Sequence, residues 1–374
     1  MRAAFLLENL YEKISFLNHA ISPRPSLPSL SGFLIEAQKG KLKFSATDLE
    51  LGITTSIPAS VEEEGKTVVP AKPFSEIITS LTDEKIIIEK KGSTVVISGK
   101  KTKASFVVMD EVEFPKLLDE KGENIFVLKK DSVEKDLGRV VFAASQDAGR
   151  PAFSGVLIKK DGESVLVVAT DSHRLSLNKT TAIKTKTDSF KKPVLISAKT
   201  IRAMLSQKSD EDVSVFVLEK NNQVVFSFGE TILVGRTIEA EFPDFEKIIP
   251  DGSSTKAEFD RQEMLKALKI TSVFARDNAN IVKISVGKNS LLVSAKSQTL
   301  GEDSFEVSAK TTGEDNEIAF NARYLFDLLQ NVSEDQMVFE MQGPLNPGVF
   351  KIANDPNFVH LIMPIRVKDE ELPS

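Results

Sequence analysis

Apolar residues recur at helical spacing in three segments about a third of the chain apart. Phe74, Ile77, Ile78 and Leu81 form one stripe, Ile201, Met204 and Leu205 a second, and Leu325, Leu328 and Leu329 a third. Spacings of three and four put each set on one buried helix face. Each stripe follows a short marker: Pro70-Ala71-Lys72, Ser197-Ala198-Lys199 and Asn321-Ala322-Arg323. Two strand-like runs follow each helix. They are 85–89 and 94–97 around Lys91-Gly92, then 213–218 and 224–228 around Asn221-Asn222, then 337–340 and 349–352 around Gly343-Pro344 and Pro347-Gly348; such turn residues between β-rich runs predict hairpins. A further helix is predicted to open each copy, at 10–20, 133–144 and 261–275, the last with Leu265 and Leu268 on one face.

Other markers return in the same order, so the repeating unit is a whole domain. Ala46-Thr47-Asp48-Leu49 reappears as Ala169-Thr170-Asp171-Ser172 and more faintly as Ala295-Lys296-Ser297. Glu113-Phe114-Pro115 reappears as Glu241-Phe242-Pro243 and then as Ile362-Met363-Pro364. The reading is an α+β chain of three similar domains, 1–121, 122–253 and 254–374, each with two helices and antiparallel sheets. The boundaries fall near Lys121 and in the polar turn cluster Asp251-Gly252-Ser253-Ser254.

Composition narrows the function. With 41% hydrophobic and 27% charged residues the chain can bury sizeable cores. It has no cysteine, which removes disulfides, thiolate nucleophiles and thiolate metal sites and suits a reducing compartment. The N-terminal apolar run stops at Glu8, too short for a signal peptide or membrane span, so a cytoplasmic protein is expected, without membrane association. A net charge of −6 argues against tight, indiscriminate adhesion to nucleic acid. The aromatics, 24 Phe against 2 Tyr and no Trp, fill cores but offer few amphipathic rings for stacking on bases, which disfavours a single-strand binder.

Charge is nevertheless segregated. The position before each stripe is basic, as Lys72, Lys199 and Arg323; Arg202 follows Lys199 by one turn, and Lys266 and Lys269 sit three apart on the first helix of the third copy. Residues 197–208 hold three basic residues and no acidic one. A lysine on a solvated helix face is ordinary, but its recurrence in three diverged copies points to a shared basic face. Such a face would hold phosphates without reading sequence.

Several stretches together carry a family resemblance: Gly155-Val156-Leu157, Val168-Ala169-Thr170-Asp171-Ser172-His173-Arg174-Leu175, Phe242-Pro243-Asp244-Phe245, Leu361-Ile362-Met363-Pro364-Ile365-Arg366, and Arg24-Pro25-Ser26-Leu27-Pro28 near the start. From end to end the chain resembles the bacterial DNA polymerase III beta sliding clamps. That resemblance implies three DNA-clamp domains per chain, two chains closing head to tail into a six-domain ring, helices lining the hole and strands outside. A homodimer of this kind would encircle duplex DNA and confer processivity, with no catalytic activity and no cofactor or metal, in the cytoplasm at the nucleoid. Its partners would be double-stranded DNA, the polymerase III alpha subunit and other polymerases, the clamp loader, and repair proteins carrying clamp-binding motifs.

The resemblance also implies site residues. A partner-peptide pocket would be walled by Phe153, Thr170, Ser172, His173, Arg174, Leu175, Pro243, Lys247 and Ile248, with Asn321, Tyr324, Met363, Pro364, Ile365 and Arg366 from the third domain. Its apolar members suit hydrophobic anchors, and His173, Arg174 and Arg366 suit polar or backbone groups. Arg24, Gln146 and Arg150 would join the basic helix residues in facing DNA, although Pro151-Ala152 stands where some members carry an aromatic pair. The subunit contact would join the edge strand around Phe106 and Val108 to Val273 and Phe274. The acidic tail 368–374 lies beside the implied pocket and reads as a frayed terminus.

The same residues admit other readings. A hydrolase could use Asp171, Ser172 and His173, but neighbours on an extended chain point to opposite faces and make a poor relay. Gly65-Lys66-Thr67 resembles the end of a phosphate loop, yet Ser60 replaces the first glycine and three glutamates precede it. Three histidines without ligand spacing give no transition-metal site. A repeat scaffold that binds no DNA is the remaining alternative.

Overall fold

The computed structural model describes residues 1–22, 24–111, 114–117, 122–147, 149–185, 192–207 and 211–367. Glu113, Lys121, Lys208 and the acidic tail 368–374, all used in the sequence reading, lie outside them. The chain forms two compact units, one of Met1–Asp131, Ala182–Lys191 and Lys199–Thr237, the other of Ser132–Thr181, Lys192–Ala198 and Ile238–Ser374. The middle copy is shared between them because strands pair across both copy boundaries.

In the first unit, a five-stranded antiparallel sheet runs Ser60–Glu63, Arg2–Leu6, Lys85–Lys91, Thr94–Ser98, Lys103–Val107. A nine-stranded sheet runs Ile183–Thr185, Glu123–Leu128, Val213–Leu218, Gln223–Phe228, Thr231–Arg236, Gly52–Pro58, Lys41–Thr47, Gly32–Gln38, Gly65–Pro70. Its centre is the seam between the first and second copies, with Thr231 opposite Thr55 and their buried hydroxyls 2.8 Å apart. The helix Glu8–Leu17 buries Leu10, Ile14 and Leu17, and the helix Ala71–Ser80 buries Phe74 and Ile78. Phe74 packs against Phe33, Phe44 and Phe106 with ring centroids 5.6–6.4 Å apart.

In the second unit one twelve-stranded antiparallel sheet begins Val194–Ser197, Gly155–Asp161, Ser164–Thr170, Arg174–Thr180 and continues into the third copy through Asp355–Ile362, Gly348–Ile352 and Gln336–Met341. It ends Thr255–Asp260, Gly301–Gly313, Ser290–Ser297, Ile281–Gly287, Asn316–Asn321. The seam here runs from Arg174 opposite Ile362 to Asn178 opposite Phe358. Two helices are capped by side chains: Asp260 accepts from Glu263 N–H at 2.8 Å to start Arg261–Ala275, and Asn321 accepts from Arg323 N–H at 3.0 Å to start Ala322–Asn331. Their apolar faces close one core with Phe259, Phe320, Phe339 and Phe350.

The predicted helices and hairpins are present, with shifts at their ends. The first begins at Glu8 and tightens to a 3₁₀ turn over Asn18–Ala20. The opening helix of the second copy runs from Lys130 to Val141 and widens to a π-helix over Glu134–Gly138. There Asp136 is drawn to Asn178 Nδ2 and Thr180 Oγ1, at 3.1 and 3.0 Å. Among the described residues no helix is long and apolar enough to cross a membrane.

Candidate functional site

The repeated Thr-Asp marker builds the same turn twice. Thr47 Oγ1 donates to Leu51 O and accepts from Leu49 N–H, while Asp48 Oδ1 accepts from the N–H groups of Glu50 and Leu51. In the second copy Thr170 Oγ1 donates to Arg174 O and accepts from Ser172 N–H, and Asp171 Oδ1 accepts from His173 and Arg174 N–H. These bonds hold Leu49 and Ser172 at φ of 76° and 78°, a conformation that L residues adopt only when their surroundings impose it. In the third copy Ser297 Oγ takes the aspartate's place, accepting from Thr299 and Leu300 N–H.

In the second copy this turn forms the rim of a pocket. Leu175, Phe245 and Leu361, all buried, make the floor and belong to an apolar cluster with Leu157, Val168, Leu195 and Val349. Phe153, Thr170, Ser172, Arg174, Pro243, Asp244, Ile248 and Met363 complete the lining. The cavity volume is about 190 Å³; a cavity of roughly 150 Å³ takes a benzene ring, so the pocket has room for one apolar side chain.

Eight residues assigned to the pocket from the sequence therefore converge: Phe153, Thr170, Ser172, Arg174, Leu175, Pro243, Ile248 and Met363. The others do not line the cavity. Lys247 is exposed and paired with Asp244 at 2.7 Å, and that hydrogen bond raises its pKa. His173 stacks on Tyr324 at 6.3 Å between centroids. Burial, with the nearby Asp171 charge, raises the Tyr324 phenol's pKa. Asn321 is a helix cap, Pro364 and Ile365 are half-buried, and Arg366 is exposed. Met363 N–H donates to His173 O and Ile365 N–H to Ala319 O, both at 2.8 Å, fixing the segment 363–365 beside the turn. Asp244, Phe245 and Leu361 were missed in the sequence; Phe245 and Leu361 flank assigned residues, and their apolar character was the available signal.

The geometry does not favour the hydrolase reading. Asp171 has one oxygen on backbone N–H groups and the other 3.0 Å from Arg174 Nε, while Ser172 Oγ accepts from Arg150 Nη1 at 3.1 Å. With His173 stacked on Tyr324, the three side chains serve separate partners.

The positions expected to face DNA separate into groups. Arg24, Lys72, Gln146, Lys266, Lys269 and Arg323 are exposed, and Arg202 is half-buried. Lys199 is held by Asp48 and Glu50 at 2.6 and 3.0 Å. Burial acts to lower its pKa, but the hydrogen bonds to the two carboxylates outweigh it and the net shift is upward. Arg150 is bonded to Ser172 and lies 5.3 Å over the Phe153 ring, two residues that line the pocket.

Of the residues expected at a subunit contact, Phe106 is 7% exposed and points into the core of the first copy, whereas Val107 is 71% exposed. The alternation of a strand explains the swap. Val108 is half-buried, its N–H donating to Ser93 O. Val273 is exposed, as are Ile270 and Leu300, and Phe274 packs on the core of the third copy.

Three domain models of the DNA polymerase III beta subunit match in order: the N-terminal domain over residues 4–118, the central domain over 127–244 and the C-terminal domain over 246–366. The beta sliding clamp of Chlamydia muridarum is 27% identical over 365 residues, covering 97% of this chain and 98% of that one. That of Staphylococcus aureus is 28% identical over 359 residues, covering 93% and 94%. The DNA polymerase III beta subunit of Thermotoga maritima superposes with a TM-score of 0.89 at 26% identity, over 98% of this chain and 100% of the other. The sliding clamp of Bacillus subtilis gives 0.88 at 27% identity over the same shares.

Proposed function

The chain belongs to the DNA polymerase III beta subunit family and acts as a sliding clamp in DNA replication; from that premise we propose that it works as a non-catalytic homodimeric ring in the cytoplasm. The observation that carries the dimer is the order of the strand pairs. The last strand of the third copy, Asp355–Ile362, pairs with Arg174–Thr180 of the second. The last strand of the second, Thr231–Arg236, pairs with Gly52–Pro58 of the first. The corresponding strand of the first copy, Lys103–Val107, is a sheet edge, and the third copy offers the matching edge along 301–308, which pairs on one side with Ser290–Ser297.

Continuing the series brings Lys103–Val107 of one subunit against 301–308 of another, which pairs both edges. Charge favours it: Lys100, Lys101 and Lys103 stand on one side and Glu302, Asp303 and Glu306 on the other. Three domains per subunit then give six in a two-subunit ring, with domain limits at 1–121, 122–253 and 254–374. The ring would hold duplex DNA by enclosure, which tolerates the net charge of −6. Lys72, Lys266, Lys269, Arg323 and Arg24 would supply weak phosphate contacts. The pocket would receive short motifs of the polymerase III alpha subunit, other polymerases, the clamp loader and repair proteins.

Sedimentation equilibrium tests the dimer. The reading expects twice the 41.1 kDa chain mass, dissociation of a Lys103→Glu variant, and recovery when Glu302→Lys and Glu306→Lys are added. A wild-type monomer at all concentrations would overturn it.

A further inference from the structure

Arg174 lines the pocket, yet its guanidinium is engaged inside the protein. Nε donates to Asp171 Oδ2 at 3.0 Å, Nη1 donates to Asp327, and Nη2 donates to Phe142 O at 3.1 Å. The cation also lies 4.7 Å from the Tyr324 ring centroid and 5.6 Å from that of Phe142. Its side chain is 9% exposed. Each of the three nitrogens thus has a protein acceptor, three of the five N–H donors are spent inside the protein, and aromatic rings lie against the charge.

The same contacts tie separate elements together. Asp171 belongs to the rim turn, Tyr324 and Asp327 lie one turn apart on the helix Ala322–Asn331, and Phe142 follows the helical turn Arg139–Val141. We infer that Arg174 is a positioning residue: it braces the rim turn against the helix Ala322–Asn331 and so sets the pocket wall, and partner peptides are recognised without its charge. The inference rests on the docking reading of the pocket. It also makes the wall continuous with the helix that carries Arg323.

The test uses the full-length protein and two synthetic peptides, one with the sequence of the polymerase III alpha tail and one with its acidic and amide side chains changed to alanine. Arg174→Ala and Asp327→Ala each weaken both peptides by the same factor, about tenfold for loss of a supporting contact. The double variant is no weaker than the worse single one. Asp327→Asn, which still accepts a hydrogen bond, restores most of the loss. Asp327 is partly exposed and outside the lining, so its variants report even where Arg174→Ala fails to fold. Loss confined to the unmodified peptide, additive losses, or unchanged binding by Asp327→Ala would overturn the inference. Met363→Asp separates the two claims. If it leaves both peptides bound, the docking reading fails; if it abolishes binding while the Arg174 and Asp327 variants bind normally, only the positioning role fails.

Discussion

Ser176 and His360 face one another across the strand pair that joins the second and third copies, with Ser176 Oγ 2.9 Å from His360 Nδ1. Both are fully buried. The serine's single proton goes to Arg139 O at 2.9 Å, so its oxygen must accept from His360 Nδ1–H. Nδ1 is therefore protonated, and full burial favours the neutral ring. Burial, assisted by the Arg174 charge, lowers its pKa to about 3.

That depressed value makes stability depend on pH. Below the ordinary histidine pKa of 6.5 the unfolded chain binds a proton that the native site refuses, so stability falls on acidification until about pH 3. The slope contributed is at most about 1.4 kcal/mol per pH unit. Urea titrations between pH 6.5 and 5, above the main carboxylate range, are expected to show that slope in the wild type and a flatter one in His360→Phe.

Arg139 is a buried cation with two acidic partners. Its side chain is 3% exposed, it pairs with Glu334 and with Asp355 at 3.1 Å, and it lies 5.9 Å over Phe358. Burial lowers its pKa against the pull of Asp355. Removing one partner of such a pair costs about 3–5 kcal/mol. Arg139→Ala is expected to lower the unfolding free energy measured by urea titration by that margin, and Arg139→Met with Glu334→Gln and Asp355→Asn to recover much of it.

Basic residues on the helices are expected to differ in their effect on DNA. Replacing Arg323, Lys266, Lys269 or Lys72 with alanine should each reduce the slope of log affinity against log salt by about one. Lys199→Ala should change it less, because Asp48 and Glu50 already neutralise that amine. Binding of linear duplex across a salt series measures both, and an equal change for Lys199 would contradict the assignment.

Much of this was legible in the residues because helix stripes and strand alternation are local. The stripes at Phe74, Ile201 and Leu325 predicted three buried helix faces, and each is buried. The Thr-Asp marker was legible as a repeat, while the turn that its side chains build within four residues was not read from it. What else was not legible depends on contacts across the chain. Arg174 reads as a ligand-binding cation until Asp327, 153 positions away, is seen to hold it. Lys199 reads as free until Asp48 and Glu50 are brought to it. Phe106 and Val107 exchange roles because the sequence does not say which strand face meets the core.

Enclosure of DNA is the central claim, and topology tests it most directly. Protein is loaded onto a nicked circular duplex with a clamp loader and ATP, the salt is raised to suppress phosphate contacts, and the circle is then cut once. The account predicts retention on the intact circle and release from the cut one; loss at the same rate from both would contradict it.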